Sequence, residues 1–216
     1  MTAGIRAVLF DFGGVILSSP IDGFRAYERA AGLPAGFLQR LNSTDPDSNA
    51  WACMERGELD EPTFCARFEA EARTHGHAVD ARVVLSQLSG QIRPELVAVI
   101  RALRPRYRVA CLTNNMPIGH GSAMARTPDL AAQIAEVMAL FEHIIESWKI
   151  GARKPEPRFY QLALERLEIE PQQAVYLDDL GINLKPARAM GMTTIKVEDA
   201  QQALSELEQA TGLRLL

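Results

Sequence analysis

The hydrophobic pattern of the chain begins with a short strand that is apolar at every position. Residues 7–10 show no alternation of apolar and polar side chains, and Gly13 and Gly14 follow closely. An uninterrupted apolar run of this length is typical of a central parallel strand that is buried on both faces. The two glycines end the strand and allow backbone to approach a ligand closely. Asp11 is therefore predicted at the carboxyl end of a buried strand, the edge at which open α/β sheets bind ligands.

The next segment, from about residue 18 to residue 89, shows no strand pattern. Helical periodicity predicts four helices in it, at residues 23–32, 36–41, 48–56 and 61–74. A compact sheet cannot thread such a block through itself, so the block is predicted to stand above the sheet as a cap. The predicted domains are therefore an α/β core at residues 1–17 and 90–216 and a helical cap at residues 18–89.

Strands and helices alternate after residue 90. Strands are predicted at residues 107–112, 141–146, 174–177 and 193–197, and helices at 94–103, 129–140, 158–167, 183–190 and 200–210. A glycine-rich loop is predicted at residues 117–122. Alternation of this kind implies βαβ crossovers. The predicted fold class is α/β, a Rossmann-like parallel sheet core with an inserted all-helical cap.

Composition narrows the cellular setting and the partners. The chain has 216 residues, 47% of them hydrophobic, which is enough for a core without disulfides. The cysteines Cys53, Cys65 and Cys111 are odd in number and lack metal-ligand spacing, so a cytoplasmic location is expected. The net charge of −4 gives no support for nucleic-acid binding. We expect no signal peptide and no membrane-spanning segment, because the apolar runs are too short.

Polar side chains suited to phosphate chemistry follow the predicted strands. They are Asp11 after the first strand, Thr113 and Asn114 after the second, Lys154 in the loop after the third, and Asp178 and Asp179 after the fourth. An aspartate beside Mg²⁺ can attack phosphorus and form an aspartyl-phosphate. A threonine hydroxyl and backbone N–H groups can hold phosphate oxygens, and a lysine can stabilise the transferring group. Each group alone is ordinary turn chemistry, but their joint order favours one site.

Four short motifs resemble those of haloacid dehalogenase-like (HAD-like) hydrolases: Asp-Phe-Gly-Gly-Val, Leu-Thr-Asn, Lys-Pro-Glu-Pro and Leu-Asp-Asp. The resemblance covers the whole chain and is strongest from residue 141 to residue 216. There the sequence is very similar to the N-terminal phosphatase domain of soluble epoxide hydrolases, and to a domain of acyl-CoA dehydrogenase fusion proteins. The chain therefore resembles either a free-standing relative or one domain of a longer protein.

The resemblance implies a role for each motif residue. The implied metal ligands are Asp11, which is also the nucleophile, the carbonyl of Gly13, and Asp179; the implied cofactor is Mg²⁺. The implied phosphate-binding residues are Thr113, Asn114 and Lys154, of which Lys154 also neutralises charge during catalysis. Asp178 and Asn183 are expected immediately behind the metal ligands. The helical cap would shape the choice of substrate.

One position departs from the pattern of the related phosphatases. They usually carry a second aspartate two positions after the nucleophile, as general acid and base, whereas this chain has Gly13. Such catalysis is worth about 10²–10⁴-fold in rate. Three consequences remain open: a substrate with a good leaving group, such as an anomeric sugar phosphate or an acyl phosphate; a substitute acid such as His120, although a loop histidine is more often only solvated; or a domain with little turnover.

The resulting functional hypothesis is a Mg²⁺-dependent phosphatase that acts on a small phosphate monoester through Asp11. The alternatives are a weakly active or degenerate domain that serves binding or scaffolding, and a metal-free dehalogenase, against which the acidic pair argues. The sequence leaves the substrate and the oligomeric state open, although the cap offers a surface for a homodimer. Trp51 is interpreted as a core aromatic of the cap rather than a residue that faces the substrate. Lys185 and Arg188 are interpreted as a solvated helix face.

Overall fold

The structure is a computed structural model, and it describes residues 4–120 and 124–215. The strands are β1 (Ala7–Phe10), β2 (Arg108–Thr113), β3 (His143–Glu146), β4 (Ala174–Asp178) and β5 (Thr193–Lys196). The helices are α1 (Ile21–Ala30), α2 (Phe37–Ser43), α3 (Ala50–Glu55), α4 (Glu61–Thr74), α5 (Ala81–Ser86), α6 (Pro94–Leu103), α7 (Pro128–Met138), α8 (Ser147–Ile150), α9 (Pro157–Leu167), α10 (Gly181–Met190) and α11 (Ala200–Thr211).

The five strands form one parallel sheet in the order β3-β2-β1-β4-β5. Leu9 in the central strand β1 is in register with Ala110 of β2 on one side and with Tyr176 of β4 on the other. The chain builds outward from β1 to β3 and then returns to place β4 on the opposite side of β1. The order in which strands are added to the sheet therefore reverses between β1 and β4. Open α/β sheets bind ligands at such a switch point.

The apolar run of β1 is buried because helices cover both faces of the sheet. Val8 and Phe10 pack in a core with residues of α6, α7 and α11, whereas Ala7 and Leu9 pack in a second core with residues of α9 and α10. All four residues have no solvent exposure. The predicted α/β fold class is thus confirmed, and the missing alternation in the sequence has a direct cause: each side chain of β1 lies in one of two apolar layers.

The predicted elements differ from the structure in their ends and in two short helices. The strand predicted at 141–146 begins only at His143, and the strand predicted at 107–112 extends to Thr113. Helices α5 and α8 were not predicted; α8, with four residues, is too short for a helical period to appear. The predicted loop at 117–122 lies partly outside the described residues.

Helices α1–α5, which we call the helical insert, have an aromatic core of their own. The Trp51 ring lies 5.9 Å from each of the rings of Phe24, Phe64 and Phe68, and its exposed fraction is 8%. This burial is what the interpretation of Trp51 as a core aromatic expects. The aromatic cluster gives the insert a separate apolar centre, which also includes Met116 from the loop after β2.

The chain leaves the sheet and returns to it through two adjacent segments. Leu17 and Ile92 form an antiparallel bridge. The N–H of Ser18 donates to the carbonyl of Gln91 at 2.8 Å, and the N–H of Arg93 donates to the carbonyl of Ile16, also at 2.8 Å. The two chain connections between the insert and the sheet therefore lie side by side as one paired ribbon. The division into a core at 1–17 and 90–216 and a cap at 18–89 remains a prediction, with which this ribbon is compatible.

The cysteines and the lengths of the helices complete the description of the fold. All three cysteines are buried and carry free thiols. Among the residues that the structure describes, none of the helices combines the length and the apolar character that crossing a membrane requires.

Candidate active site

Asp11 lies directly beyond β1, and the sheet and a tight turn hold it in place. Its N–H donates to the carbonyl of Leu177 at 2.8 Å, which continues the parallel ladder by one residue. Its carboxylate accepts a hydrogen bond of 2.6 Å from the N–H of Phe12. The turn that follows is closed by the N–H of Leu17, which donates to the carbonyl of Phe12. Asp11 is 6% exposed, so it sits in a nearly closed site.

The two glycines after Asp11 have different structural roles. Gly14 has a φ of +82°, and a Cβ atom there would lie 2.1 Å from the Asp179 carboxylate. Only glycine fits at position 14, because both the backbone conformation and the close approach of Asp179 exclude a side chain. Gly13 has an ordinary φ of −72° and ψ of 128°, and a Cβ atom there would meet no heavy atom within 4 Å. The backbone therefore does not demand glycine at position 13.

Lys154 is the cation of the site. Its Nζ atom lies 2.8 Å from Oδ1 of Asp11 and 2.9 Å from Oδ2 of Asp178, and the residue is 1% exposed. A buried ammonium group requires partners of opposite charge. Burial alone would lower the pKa of Lys154, but the carboxylates of Asp11 and Asp178 more than offset burial and raise it. Lys154 is therefore a fixed positive charge beside Asp11.

Asp178 anchors Lys154 from behind. It is fully buried, and its carboxylate accepts hydrogen bonds from Lys154, from the hydroxyl of Tyr176, from Nδ2 of Asn183 and from the N–H of Leu180. These four donors occupy both oxygens. The placement of Asp178 and Asn183 behind the metal ligands remains a prediction.

Asp179 points to the other side, towards the turn after β1. Its Oδ2 atom accepts from the Ser19 hydroxyl at 3.4 Å. Carboxylate oxygens of Asp11, Asp178 and Asp179 lie within 4.8 Å of one another. Burial, followed by the charge of Asp178, raises the pKa of Asp179 to about 6. Burial also raises the pKa of Asp11 well above its usual value, against the lowering effect of Lys154.

The charges of this cluster fit a divalent cation. Three carboxylates face one ammonium group, so the ionised cluster has an excess of negative charge in a buried place. The donor atoms are oxygens, which Mg²⁺ prefers over nitrogen or sulfur. Asp11 and Asp179, with the predicted carbonyl of Gly13, are the groups that would hold the ion.

Thr113 and Asn114 reach the same edge at the end of β2. Thr113 is the last residue of that strand and is 5% exposed. The side-chain amide of Asn114 contacts the main chain of Lys154 twice: Nδ2 donates to the carbonyl at 2.9 Å, and Oδ1 accepts from the N–H at 2.8 Å. The phosphate contact predicted for Asn114 remains a prediction. Because the side-chain amide is engaged with the Lys154 loop, the backbone N–H of Asn114 is the group that we consider for this contact.

Sequence reasoning missed Glu55, at the end of α3. It is 7% exposed, and its carboxylate accepts from Nε1 of Trp51 at 3.0 Å, from Nδ2 of Asn114 at 3.0 Å and from Nε of Arg153 at 2.5 Å. The one local signal was the four-residue spacing from Trp51 to Glu55, which places both side chains on one helix face. The other two partners are remote in sequence.

Other singled-out residues lie apart from these contacts. His120 is exposed, and its main chain pairs with that of Ala125. Part of its loop, residues 121–123, lies outside the described residues. Lys185 and Arg188 are exposed on α10, as the solvated-face interpretation expects.

The fold and the site combine an open α/β sheet with a buried aspartate–lysine pair and an acidic pair at its switch point. This combination defines a class of hydrolase. The family model of haloacid dehalogenase-like hydrolases matches residues 5–191. The chain belongs to this family, so the resemblance seen in the four motifs is confirmed.

The curated relatives include multidomain proteins and phosphatases. Bifunctional epoxide hydrolase 2 from Mus musculus is 33% identical over 220 residues, which cover 96% of this chain and 39% of that protein. Acyl-CoA dehydrogenase family member 10 from Mus musculus is 31% identical over 217 residues, which cover 97% of this chain and 19% of that protein. The chain thus spans two fifths or less of these two relatives. Sesquiterpene phosphatase astK from Aspergillus oryzae is 24% identical over 218 residues and is covered in full.

Solved structures show the same fold. A HAD-like family hydrolase from Porphyromonas gingivalis aligns with a TM-score of 0.63 at 23% identity, over 95% of this chain and 98% of that chain. A HAD family enzyme from Bacteroides thetaiotaomicron, solved in complex with magnesium and inorganic phosphate, aligns with a TM-score of 0.57 at 20% identity. That alignment covers 91% of this chain and 97% of that chain. At these identities the likeness concerns the fold.

Proposed function

We propose that this HAD-like hydrolase is a Mg²⁺-dependent phosphatase that acts on a small phosphate monoester through Asp11. The observation that supports this most strongly is the Asp11–Lys154 pair at 2.8 Å, with Asp179 in the same carboxylate cluster at the switch point of the sheet. Among the relatives, the name of sesquiterpene phosphatase astK states phosphatase activity. The solved relative with bound magnesium and phosphate adds support for the cofactor.

The proposed reaction proceeds in two displacements at phosphorus. An oxygen of Asp11 bonds to phosphorus while the bond from phosphorus to the leaving oxygen breaks, which gives an aspartyl-phosphate and the leaving group as an oxyanion that takes its proton from solvent. Water then attacks the same phosphorus, releases inorganic phosphate and restores the carboxylate. When bound, Mg²⁺ supplies positive charge that offsets the charges of nucleophile and phosphate.

The chain's own residues orient and stabilise these steps. Lys154 holds a positive charge beside the attacking oxygen, and its ion pair with Asp178 keeps the ammonium group in this position. We assign the Thr113 hydroxyl and the backbone N–H of Asn114 to the phosphate oxygens, because both residues lie at the carboxyl end of β2, the strand that pairs with β1. Preorganised charges and donors of this kind are usually the largest contribution to catalysis.

Gly13 shapes the substrate class in this proposal. A leaving alkoxide receives no proton from position 13, and general acid catalysis is worth about 10²–10⁴-fold. Substrates whose leaving group needs little protonation, such as anomeric sugar phosphates and acyl phosphates, lose least from its absence. We therefore propose that the enzyme prefers such substrates to ordinary alkyl phosphates.

The test is a panel of phosphate esters, assayed with Mg²⁺ and with a chelator, beside the Asp11→Asn variant. The panel contains p-nitrophenyl phosphate, sugar 1-phosphates, sugar 6-phosphates, acyl phosphates and lipid phosphates. We expect phosphate release that requires both the metal and Asp11. Release that persists in Asp11→Asn or in chelator would contradict the mechanism. The absence of release from every ester by a folded, Mg²⁺-binding protein would favour the binding or scaffolding alternative.

A further inference from the structure

The helical insert meets the Lys154 loop through two reciprocal ion pairs. Glu55 of the insert lies 2.5 Å from Nε of Arg153, and Arg56 of the insert donates to Glu156 at 3.1 Å. The two pairs flank Lys154 on both sides in sequence. The insert therefore touches the core at the loop that supplies the buried cation of the site.

The pair with Glu55 continues through Asn114 to the main chain of Lys154, whereas Glu156 of the other pair accepts from the N–H of Arg153 at 3.2 Å. Oε2 of Glu55 accepts from both Arg153 and Nδ2 of Asn114, while Oε1 accepts from the Trp51 indole. Asn114 in turn holds the N–H and the carbonyl of Lys154. The described contacts thus run from the aromatic core of the insert, through one carboxylate and one amide, to the main chain of Lys154.

Glu55 adds a third contact that fixes the orientation of the Asn114 amide, beside the two contacts with the main chain of Lys154. A carboxylate only accepts hydrogen bonds, so it requires the Nδ2 side of the amide to face it, which leaves Oδ1 for the N–H of Lys154. Hydrogen bonds to a charged acceptor are about twice as strong as neutral ones. A neutral side chain at position 55 would weaken the contact to the Asn114 amide and remove the charge that pairs with the Arg153 guanidinium.

We propose that Glu55 is a positioning residue of the active site, which fixes the Lys154 ammonium against Asp11 when α3 is docked on the core. It acts through Asn114 and Arg153 rather than on the substrate. The inference rests on the proposed phosphatase function for its kinetic consequence. The placement of Lys154 is a property of the protein itself and can be measured without turnover.

The experiment compares Glu55→Gln with Arg56→Gln. Glutamine keeps the size of Glu55 but removes its charge and replaces one acceptor by a donor. Arg56→Gln removes the neighbouring ion pair across the same contact. In the described residues, the Arg56 guanidinium donates to the carboxylates of Glu58 and Glu156, to the carbonyl of Asp47 and to Sγ of Cys53. The Arg56→Gln variant therefore serves as a matched control for loosening of the insert in general.

The first readout is acetylation of lysines by an N-hydroxysuccinimide ester, followed by mass spectrometry. The chain has four lysines, and Lys149 and Lys196, with side chains 51% and 55% exposed, provide internal references for reagent reactivity. We expect the relative labelling rate of Lys154 to rise at least fivefold in Glu55→Gln and less than twofold in Arg56→Gln. Equal rises in both variants, or no rise in Glu55→Gln, would overturn the proposal.

The second readout is steady-state kinetics on the best ester of the panel. We expect kcat to fall at least tenfold in Glu55→Gln with KM changed less than threefold, and kcat within twofold of the parent in Arg56→Gln. A fall in kcat no larger than that of the control would contradict the positioning role. If the parent protein hydrolyses no ester, the phosphatase proposal fails while the labelling result still decides the role of Glu55. If Glu55→Gln does not fold, Arg153→Gln removes the same ion pair, with the same labelling expectation.

Discussion

Introducing a carboxylate at position 13 tests how far the lack of a general acid there limits the rate of ester hydrolysis. The Gly13 backbone has a φ of −72° and a ψ of 128°, which any residue adopts, and the space of a Cβ atom is open to 4 Å. The backbone and the Cβ atom of an aspartate are therefore accommodated at position 13. Replacing glycine at a compatible position also reduces the entropy of the unfolded chain, which is worth about 0.4–1 kcal/mol. The variant is expected to fold.

The expected gain follows from the chemistry of the leaving group. General acid–base catalysis contributes about 10²–10⁴-fold, which corresponds to roughly 3–5 kcal/mol of activation free energy. Part of this gain is lost because the new carboxylate joins the negative cluster of Asp11 and Asp179. We expect kcat/KM for an alkyl phosphate to rise at least tenfold. For p-nitrophenyl phosphate, whose leaving group needs no proton, we expect a change of less than threefold.

The matched control is Gly13→Asn, which has the same shape and cannot transfer a proton in this way. The assay compares kcat/KM of both variants and the parent for the two esters over a range of pH. If Gly13→Asp is no faster than Gly13→Asn on the alkyl phosphate, while both are folded and bind Mg²⁺, the reasoning on Gly13 is refuted.

Two further predictions concern the backbone and the charges of the site. We expect Gly14→Ala to lower the free energy of unfolding by about 1–3 kcal/mol, because it combines a positive φ with a Cβ atom 2.1 Å from the Asp179 carboxylate. Urea unfolding would measure this, and a variant as stable as the parent would contradict the predicted clash. The pKa of Asp179 in the folded protein is raised to about 6. In the presence of a chelator, the folded protein therefore holds a proton on Asp179 that the unfolded chain has already released. This group makes the fold less stable as the pH rises from 4 to 7. The contribution is at most about 3 kcal/mol, reduced by partial exposure. Urea unfolding should therefore show Asp179→Asn gaining stability relative to the parent over that pH range, and a constant difference would contradict the assignment.

Much of the fold was predictable because burial leaves a direct trace in the sequence. The run from Ala7 to Phe10 is apolar throughout since both faces of β1 are covered, and strand–helix alternation set the parallel sheet. The positions of Asp11 and the acidic pair at one edge follow from that topology, whereas Lys154 reaches the edge from the loop between α8 and α9. Each strand that supplies such a group has its carboxyl end at the same edge.

The contacts within the site were not predictable in the same way. The partners of Glu55 include Arg153, which is 98 positions away, and no local period reports such a contact. Asn114 was assigned to phosphate as a residue, and nothing in the sequence indicated that its side-chain amide contacts the main chain of Lys154. Side-chain direction depends on loops that close in three dimensions, and a strand-end position does not specify it.

The most direct test of the account is to trap the modified side chain of Asp11. The protein would be quenched during turnover of its best ester, reduced with borohydride, which converts an aspartyl-phosphate to homoserine, and analysed by peptide mass spectrometry. The account predicts homoserine at position 11 only when both ester and Mg²⁺ are present, and none at position 178 or 179. Steady phosphate release without any modification of Asp11 would contradict the central claim.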